Sequence, residues 1–194
     1  ARHRAPVALE RLSLAGLGLG VLALALEGLH WQLVPWQLVA GQTGAVVKAV
    51  PIDRRGVVDV ADFAAQMNER TRIVACAHVS NALGTVLPVR EITQLAHARG
   101  AVVLIDGAQA VPHQRVDLKA LDCDFYCFSA HKMCGPTGVG ILYGKAEHLN
   151  RMQPYQGGGD MILSVTFEKT PYNAIPYTFE AGTPPIPAAV GLGA

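Results

Sequence analysis

The chain has no C-x-x-C pair, and its four cysteines, Cys76, Cys123, Cys127 and Cys134, have no histidine at zinc-finger spacing. Thiolate metal sites need such spacings, so no metal site is expected and the thiols are expected to be free, in a reducing compartment such as the cytoplasm. Charge is scarce as well: 16% of residues are charged, and 16 Lys and Arg nearly balance 15 Asp and Glu. The basic residues are scattered and no charged tail is present, which argues against a nucleic-acid partner, because binding a phosphate backbone takes clustered cations. The apolar run "LSLAGLGLGVLALAL" has 15 residues and is too short to span a bilayer comfortably. It follows Arg2, His3, Arg4 and Arg11 in the manner of a secretory signal, but "EGLHWQ" after it offers no small-residue cleavage site. No membrane partner is expected.

What is present is an apolar-rich chain, 51% hydrophobic over 194 residues, enough for one domain or part of a larger one. From residue 33 onward strands and helices alternate. "GAVVKAVPID", "RIVACAHV", "AVVLIDGAQAV" and "DFYCFS" read as strands. "VDVADFAAQMNERT" reads as a helix capped by Asp59, "VREITQLAHARG" as a helix stopped by Gly100, and "VDLKAL" as a short helix. The continuous β-branched run before Asp106 suits a strand covered on both faces. The order predicts an α/β fold, a mostly parallel sheet flanked by helices. Cys123, Phe125 and Cys127 fall at period two and are expected in the core.

In such sheets ligands bind beyond the carboxyl ends of the strands. Those positions hold Ser80 and Asn81, then Asp106 and Gln109, then Ser129, His131 and Lys132. Partial burial of a lysine there favours the neutral amine that attacks carbonyls in Schiff-base chemistry. An aspartate on the next strand end can keep a pyridine nitrogen protonated, and Gln109 can donate to a ring hydroxyl. Ser129 and His131 offer donors to a phosphate, and Gly135, Gly138 and Gly140 let the backbone bend away. Together these groups specify a site for pyridoxal 5'-phosphate. Taken singly, Asp106 reads equally well as a cap, and His78, His97, His113 and His148 read as structural.

The stretches "HVSNALGTVLPV", "VLIDGAQAVPH", "LDCDFYCFSAHKMCGPTGVGILYG", "GGGDMI" and "FEAGTP" resemble the large domain of Suf-type cysteine desulfurases and selenocysteine lyases. These are class V members of the fold-type I pyridoxal phosphate enzymes. The resemblance implies that Lys132 bonds the cofactor and moves the substrate α-proton, that Asp106 partners the ring nitrogen and Gln109 the ring oxygen, and that Ser129 and His131 bind the phosphate. It sets Asn81 beside the ring and substrate. Gly157 and Thr183 match residues that reach the phosphate in the opposite subunit, which implies a homodimer. The implied reaction takes sulfur from L-cysteine, or selenium from selenocysteine, leaves alanine, and passes sulfur as a persulfide to an acceptor protein for iron-sulfur cluster assembly.

The chain departs from that family at both ends, so the resemblance implies a large-domain fragment, residues 31–194. At the position of the ring-stacking histidine stands Leu29, and His30 serves only after a one-residue shift. The family's threonine-containing phosphate loop is not seen, and no cysteine matches the persulfide-forming position. Residues 1–30 use nine residue types, Ala, Arg, His, Pro, Val, Leu, Glu, Ser and Gly. They are expected to be a divergent segment, read out of frame, with an amphipathic leader as the alternative. Two other readings stay open: another class V lyase or epimerase, and a truncated product without catalytic activity.

Overall fold

The structure, a computed structural model, describes residues 21–25 and 33–194. Its elements in chain order are β1 (Val21–Ala25), α1 (Leu33–Thr43), β2 (Val46–Val50), α2 (Val60–Gln66), β3 (Thr71–Ala77), α3 (Val89–His97), β4 (Val102–Asp106), α4 (Leu118–Leu121), β5 (Phe125–Ser129), β6 (Gly140–Gly144), α5 (Ala146–Leu149) and α6 (Ile186–Gly193). The strands form one six-stranded sheet in the order β2-β1-β3-β4-β5-β6. All pairings are parallel except β5 with β6, so the expected α/β architecture is the observed one.

Alternation along the central strands divides the core between the two faces of the sheet. Val74 and Cys76 of β3 and Val103 and Ile105 of β4 join a cluster with Phe63 of α2 and with Val89, Ile92 and Ala96 of α3. Ala75, Ile73 and Leu104 meet Leu33 and Trp36 of α1 on the other face. Phe63 and Ile92 are fully buried, and each contributes about 2 to 3 kcal/mol in area removed from water. Asp59 caps α2 as expected, its Oδ1 accepting from the Ala61 N–H at 2.8 Å. Gly100 ends the α3 segment with φ +71°. Cys123 and Phe125 are in the core, and Cys127 is only partly buried.

One element differs from expectation, and another was not read as a strand in the sequence. β1 lies inside residues 1–30, the stretch expected to stand apart, and the sheet takes it between β2 and β3, parallel to both. Its five residues, VLALA, are all apolar, as suits a strand with neighbours on both edges. β6 follows a tight bend rather than a crossover helix, so it returns antiparallel to β5 at the sheet edge.

At the end of the sheet away from the strand carboxyl ends, the side chain of Asp124 is 5% exposed and gathers four donors. These are the Val103 N–H at 2.7 Å, His97 Nε2 at 2.8 Å, His148 Nε2 at 3.2 Å and Lys145 Nζ at 3.1 Å. The cluster ties together α3, β4, β5 and the turn into α5. No helix among the described residues is long and apolar enough to cross a membrane.

Candidate active site

The register of the three central strands aligns their carboxyl ends. Ala77 of β3 is opposite Asp106 of β4, which is opposite Cys127 of β5. Backbone bonds continue past the ladder: the His78 N–H donates to the Asp106 carbonyl and the Gly107 N–H to the Cys127 carbonyl, each at 2.8 Å. Asp106 is therefore anchored from both sides, and its Oδ1 accepts from the Ala108 N–H at 2.9 Å. The following chain makes successive turns, with Ala110 and Val111 N–H groups bonding the Gly107 carbonyl and His113 and Gln114 N–H groups bonding that of Ala110. Gln109 rides on this turn, partly buried.

After Ser129 the chain enters a 3-10 turn, Ala130–Met133, that carries His131 and Lys132. Ala130 is fully buried and locks the bend, donating to the Val139 carbonyl at 3.1 Å and accepting from the Gly135 N–H at 3.0 Å. Cys134 closes the turn in the left-handed region, φ +64°, and Gly138 has φ +85°. A Cβ on Gly135 would sit 3.0 Å from the Ala130 carbonyl oxygen, so the glycine permits the close approach. Lys132 and His131 are exposed, and Ser129 is partly buried. The exposure of Lys132 departs from the partial burial expected of it, because the bend projects the turn beyond the sheet.

Asn81 is exposed on the loop that leaves β3. The loop is folded by Ser80, whose Oγ accepts from the Ala82 and Leu83 N–H groups at 3.2 and 3.1 Å. Far along the chain, the "GGGD" and "AGTP" segments meet: the Gly182 N–H donates to the Gly159 carbonyl at 3.0 Å, and a Cβ on Gly158 would lie 2.9 Å from the Gly182 nitrogen. Gly157 and Thr183 flank this junction and are both exposed. Asp106, Gln109, Ser129, His131, Lys132 and Asn81 thus lie at or just beyond the carboxyl ends of the adjacent strands β3, β4 and β5, and the segments of Gly157 and Thr183 pair separately. His30 lies outside the described residues.

A carboxylate, a primary amine, a hydroxyl, an imidazole and two amides at one rim form a donor and acceptor set for a flat, anionic, carbonyl-bearing ligand. The cysteines are less suited to chemistry. Burial pushes the Cys76 thiol up to about 12 and the Cys123 and Cys127 thiols up to about 11, which keeps all three protonated. Cys134 is exposed.

One group at this rim was not singled out by sequence. Gly107 presses on the ring of Tyr126, where any Cβ would overlap the phenol. The aspartate-glycine pair at the end of a continuous apolar strand is the sequence signal for such an approach. Tyr126 Oη is 3.0 Å from His78 Nδ1, and His78 Nε2 is 3.0 Å from Gln114 Nε2.

The family model for Aminotransferase class-V matches residues 21–194. The chain is 48% identical over 165 residues to the probable cysteine desulfurase of Halalkalibacterium halodurans, and 53% identical over 165 residues to the cysteine desulfurase of Synechococcus elongatus. Each match takes in 85% of this chain but only 41% and 26% of the respective relatives, so the chain spans less than half their length. A cysteine desulfurase structure from Escherichia coli, in an S-sulfonic acid form, is similar at TM-score 0.86 and 39% identity, over 90% of this chain and 44% of that one. A cystine C-S lyase bound to cysteine persulfide is similar at TM-score 0.79 and 26% identity, over 90% of this chain and 48% of that one. With the family match running from β1 to the last residue, the chain belongs to the aminotransferase class-V family.

Proposed function

We propose that the chain is the pyridoxal 5'-phosphate-binding part of a cysteine desulfurase, whose complete form converts L-cysteine to L-alanine and passes the sulfur to an enzyme thiol as a persulfide. The observation that carries this reading is that Lys132 lies on the turn that follows β5, the strand paired in parallel with β4, which ends at Asp106. The names of the relatives at 48% and 53% identity support it, as does a cystine C-S lyase variant that carries glycine linked to its pyridoxal phosphate.

The rim fits that cofactor by the chemistry of its donors. Lys132 would hold the cofactor through its Nζ, a primary amine of the kind that condenses with aldehydes, and would serve as the base at the amino acid's α-carbon. The Asp106 carboxylate would accept from the ring N–H, its backbone held by bonds to the neighbouring strands on both sides. Gln109 would donate to the ring oxygen, Asn81 would lie by ring and substrate, and Ser129 and His131 would donate to the phosphate. His30 is assigned to the ring face. Pyridoxal phosphate, when bound, supplies an electron sink for charge at the α-carbon. Gly157 and Thr183 are assigned to the phosphate of a second copy's cofactor, which makes the working unit a homodimer of the large domain, here extended by β1 to residues 21–194. Four free cysteines fit a reducing, cytoplasmic setting in which a sulfur-acceptor protein for iron-sulfur cluster assembly takes the persulfide. Selenocysteine is the alternative substrate.

A second reading, a binding-competent product without turnover, is favoured by the cysteines: three are held protonated by burial, and Cys134 belongs to the bend around Lys132. The experiment adds pyridoxal phosphate to the chain and to Lys132→Ala, then adds cysteine. A visible absorbance band in the wild type that is absent from the variant is expected, with alanine and sulfide weak or undetected. No band in the wild type, or an equal band in the variant, overturns the cofactor assignment. Robust alanine formation excludes the second reading.

A further inference from the structure

His78 is 7% exposed and stands one residue past the end of β3, directly beneath the rim. It touches two elements. Its Nδ1 lies 3.0 Å from Tyr126 Oη on β5, and its Nε2 lies 3.0 Å from the Gln114 side-chain nitrogen. An amide nitrogen only donates, so Gln114 donates to Nε2, and the neutral ring carries its proton on Nδ1 and donates to Tyr126. Burial pushes the imidazole below its ordinary pKa, in keeping with the neutral form. The two rings meet edge to face, with centroids 6.0 Å apart and planes at 89°.

Gln114 is the last residue of the turn that begins at Asp106 and carries Gln109. At its start the turn is fixed by Gly107, packed on the same Tyr126 ring. At its far end no such contact among the described residues closes the turn, and an open depression of about 340 Å³ lies between Gln114, Val111, Leu118, Tyr126 and Phe128. At Gln114 the tie to this ring is the hydrogen bond to His78, where at Gly107 it is direct contact. We infer that His78 is a positioning residue, whose imidazole ties the far end of the Asp106–Gln114 turn to Tyr126 of β5 and so fixes where Asp106 and Gln109 stand. The turn becomes a closed loop with the phenol as its common anchor, Gly107 on the ring and Gln114 through the imidazole. The effect on a cofactor rests on the function proposed above; the effect on the turn does not.

The test measures amide hydrogen exchange without cofactor and pyridoxal phosphate affinity, in His78→Leu, Gln114→Leu, the double variant and His78→Gln. Loss of one such bond corresponds to about tenfold. Exchange at Ala110, Val111, His113 and Gln114 is expected to speed up about tenfold in either single variant, with no further gain in the double, while β3 amides are unchanged. His78→Gln keeps an acceptor near the Nε2 position and is expected to restore most of the protection. Pyridoxal phosphate binding is expected to weaken by a similar factor with the same non-additivity. Equal acceleration at β3 amides, unchanged turn amides, or additive effects overturn the role of His78. If the wild type binds no pyridoxal phosphate, the proposed function falls, and the exchange data still decide the role of His78.

Discussion

Gly107 and Tyr126 show how one missing atom positions a site. Asp106 ends β4, and the next residue must pass across the Tyr126 ring so closely that no side chain fits. Gly107→Ala is expected to destabilise the fold by about 3 kcal/mol, since a buried phenol of 1% exposure has little room to yield. Chemical denaturation of the variant measures it, and a loss under half that value means that the ring moves aside. Lys132 is the opposite case, an exposed residue on a bend locked from behind by Ala130. Its type and place after an apolar strand were legible in the chain. Its exposure was not, because that depends on how Gly135, Gly138 and the Ala130 carbonyl bend the turn.

Among the elements, the start of α2 was readable because a cap is local, and the start of α4 obeys the same rule. The Asp59 side chain satisfies the Ala61 N–H of α2, and the Asp117 side chain satisfies the Ala120 N–H of α4. Asp59→Ala is expected to cost about 1 kcal/mol, read as a lowered denaturant midpoint with an unchanged slope. Strands β2 to β5 were readable for a similar reason, as short apolar runs bounded by turns. The direction of β6 was not, since "GVGILYG" pairs antiparallel only because the chain turns back within the bend of residues 130–139. β1 was not either: an apolar run that resembles a signal sequence by composition is a strand when β2 and β3 flank it.

At the scale of the whole molecule, the sheet separates two polar clusters, the candidate site at the strand carboxyl ends and the Asp124 cluster at the other. Burial alone raises the Asp124 carboxyl, but hydrogen bonds from His97, the Val103 N–H and Lys145 outweigh it and hold it below the ordinary value. Asp122 is lowered chiefly by its bond from Lys145, 2.7 Å away. A carboxyl with a depressed folded-state pKa adds stability that is present above its unfolded value, about 3.9, and is lost as pH falls through the folded value. Asp124→Asn is expected to cost about 3 kcal/mol at neutral pH, because it leaves buried donors without their charge. The gap from wild type should narrow as pH falls below about 4, and denaturation curves across pH measure it. A gap independent of pH means that the carboxylate charge plays no part. By itself, the sequence determined the alternation of strands and helices, the Asp59 cap, and the polar residues that end each core strand, because these follow from local patterns of apolarity and hydrogen bonding. Only the tertiary structure decided that Ala77, Asp106 and Cys127 stand in register at the strand ends, that Gly107 and His78 meet on Tyr126, and that Val21–Ala25 pairs inside the sheet. Those relations depend on strand register and on contacts between residues far apart in the chain, which no local pattern encodes.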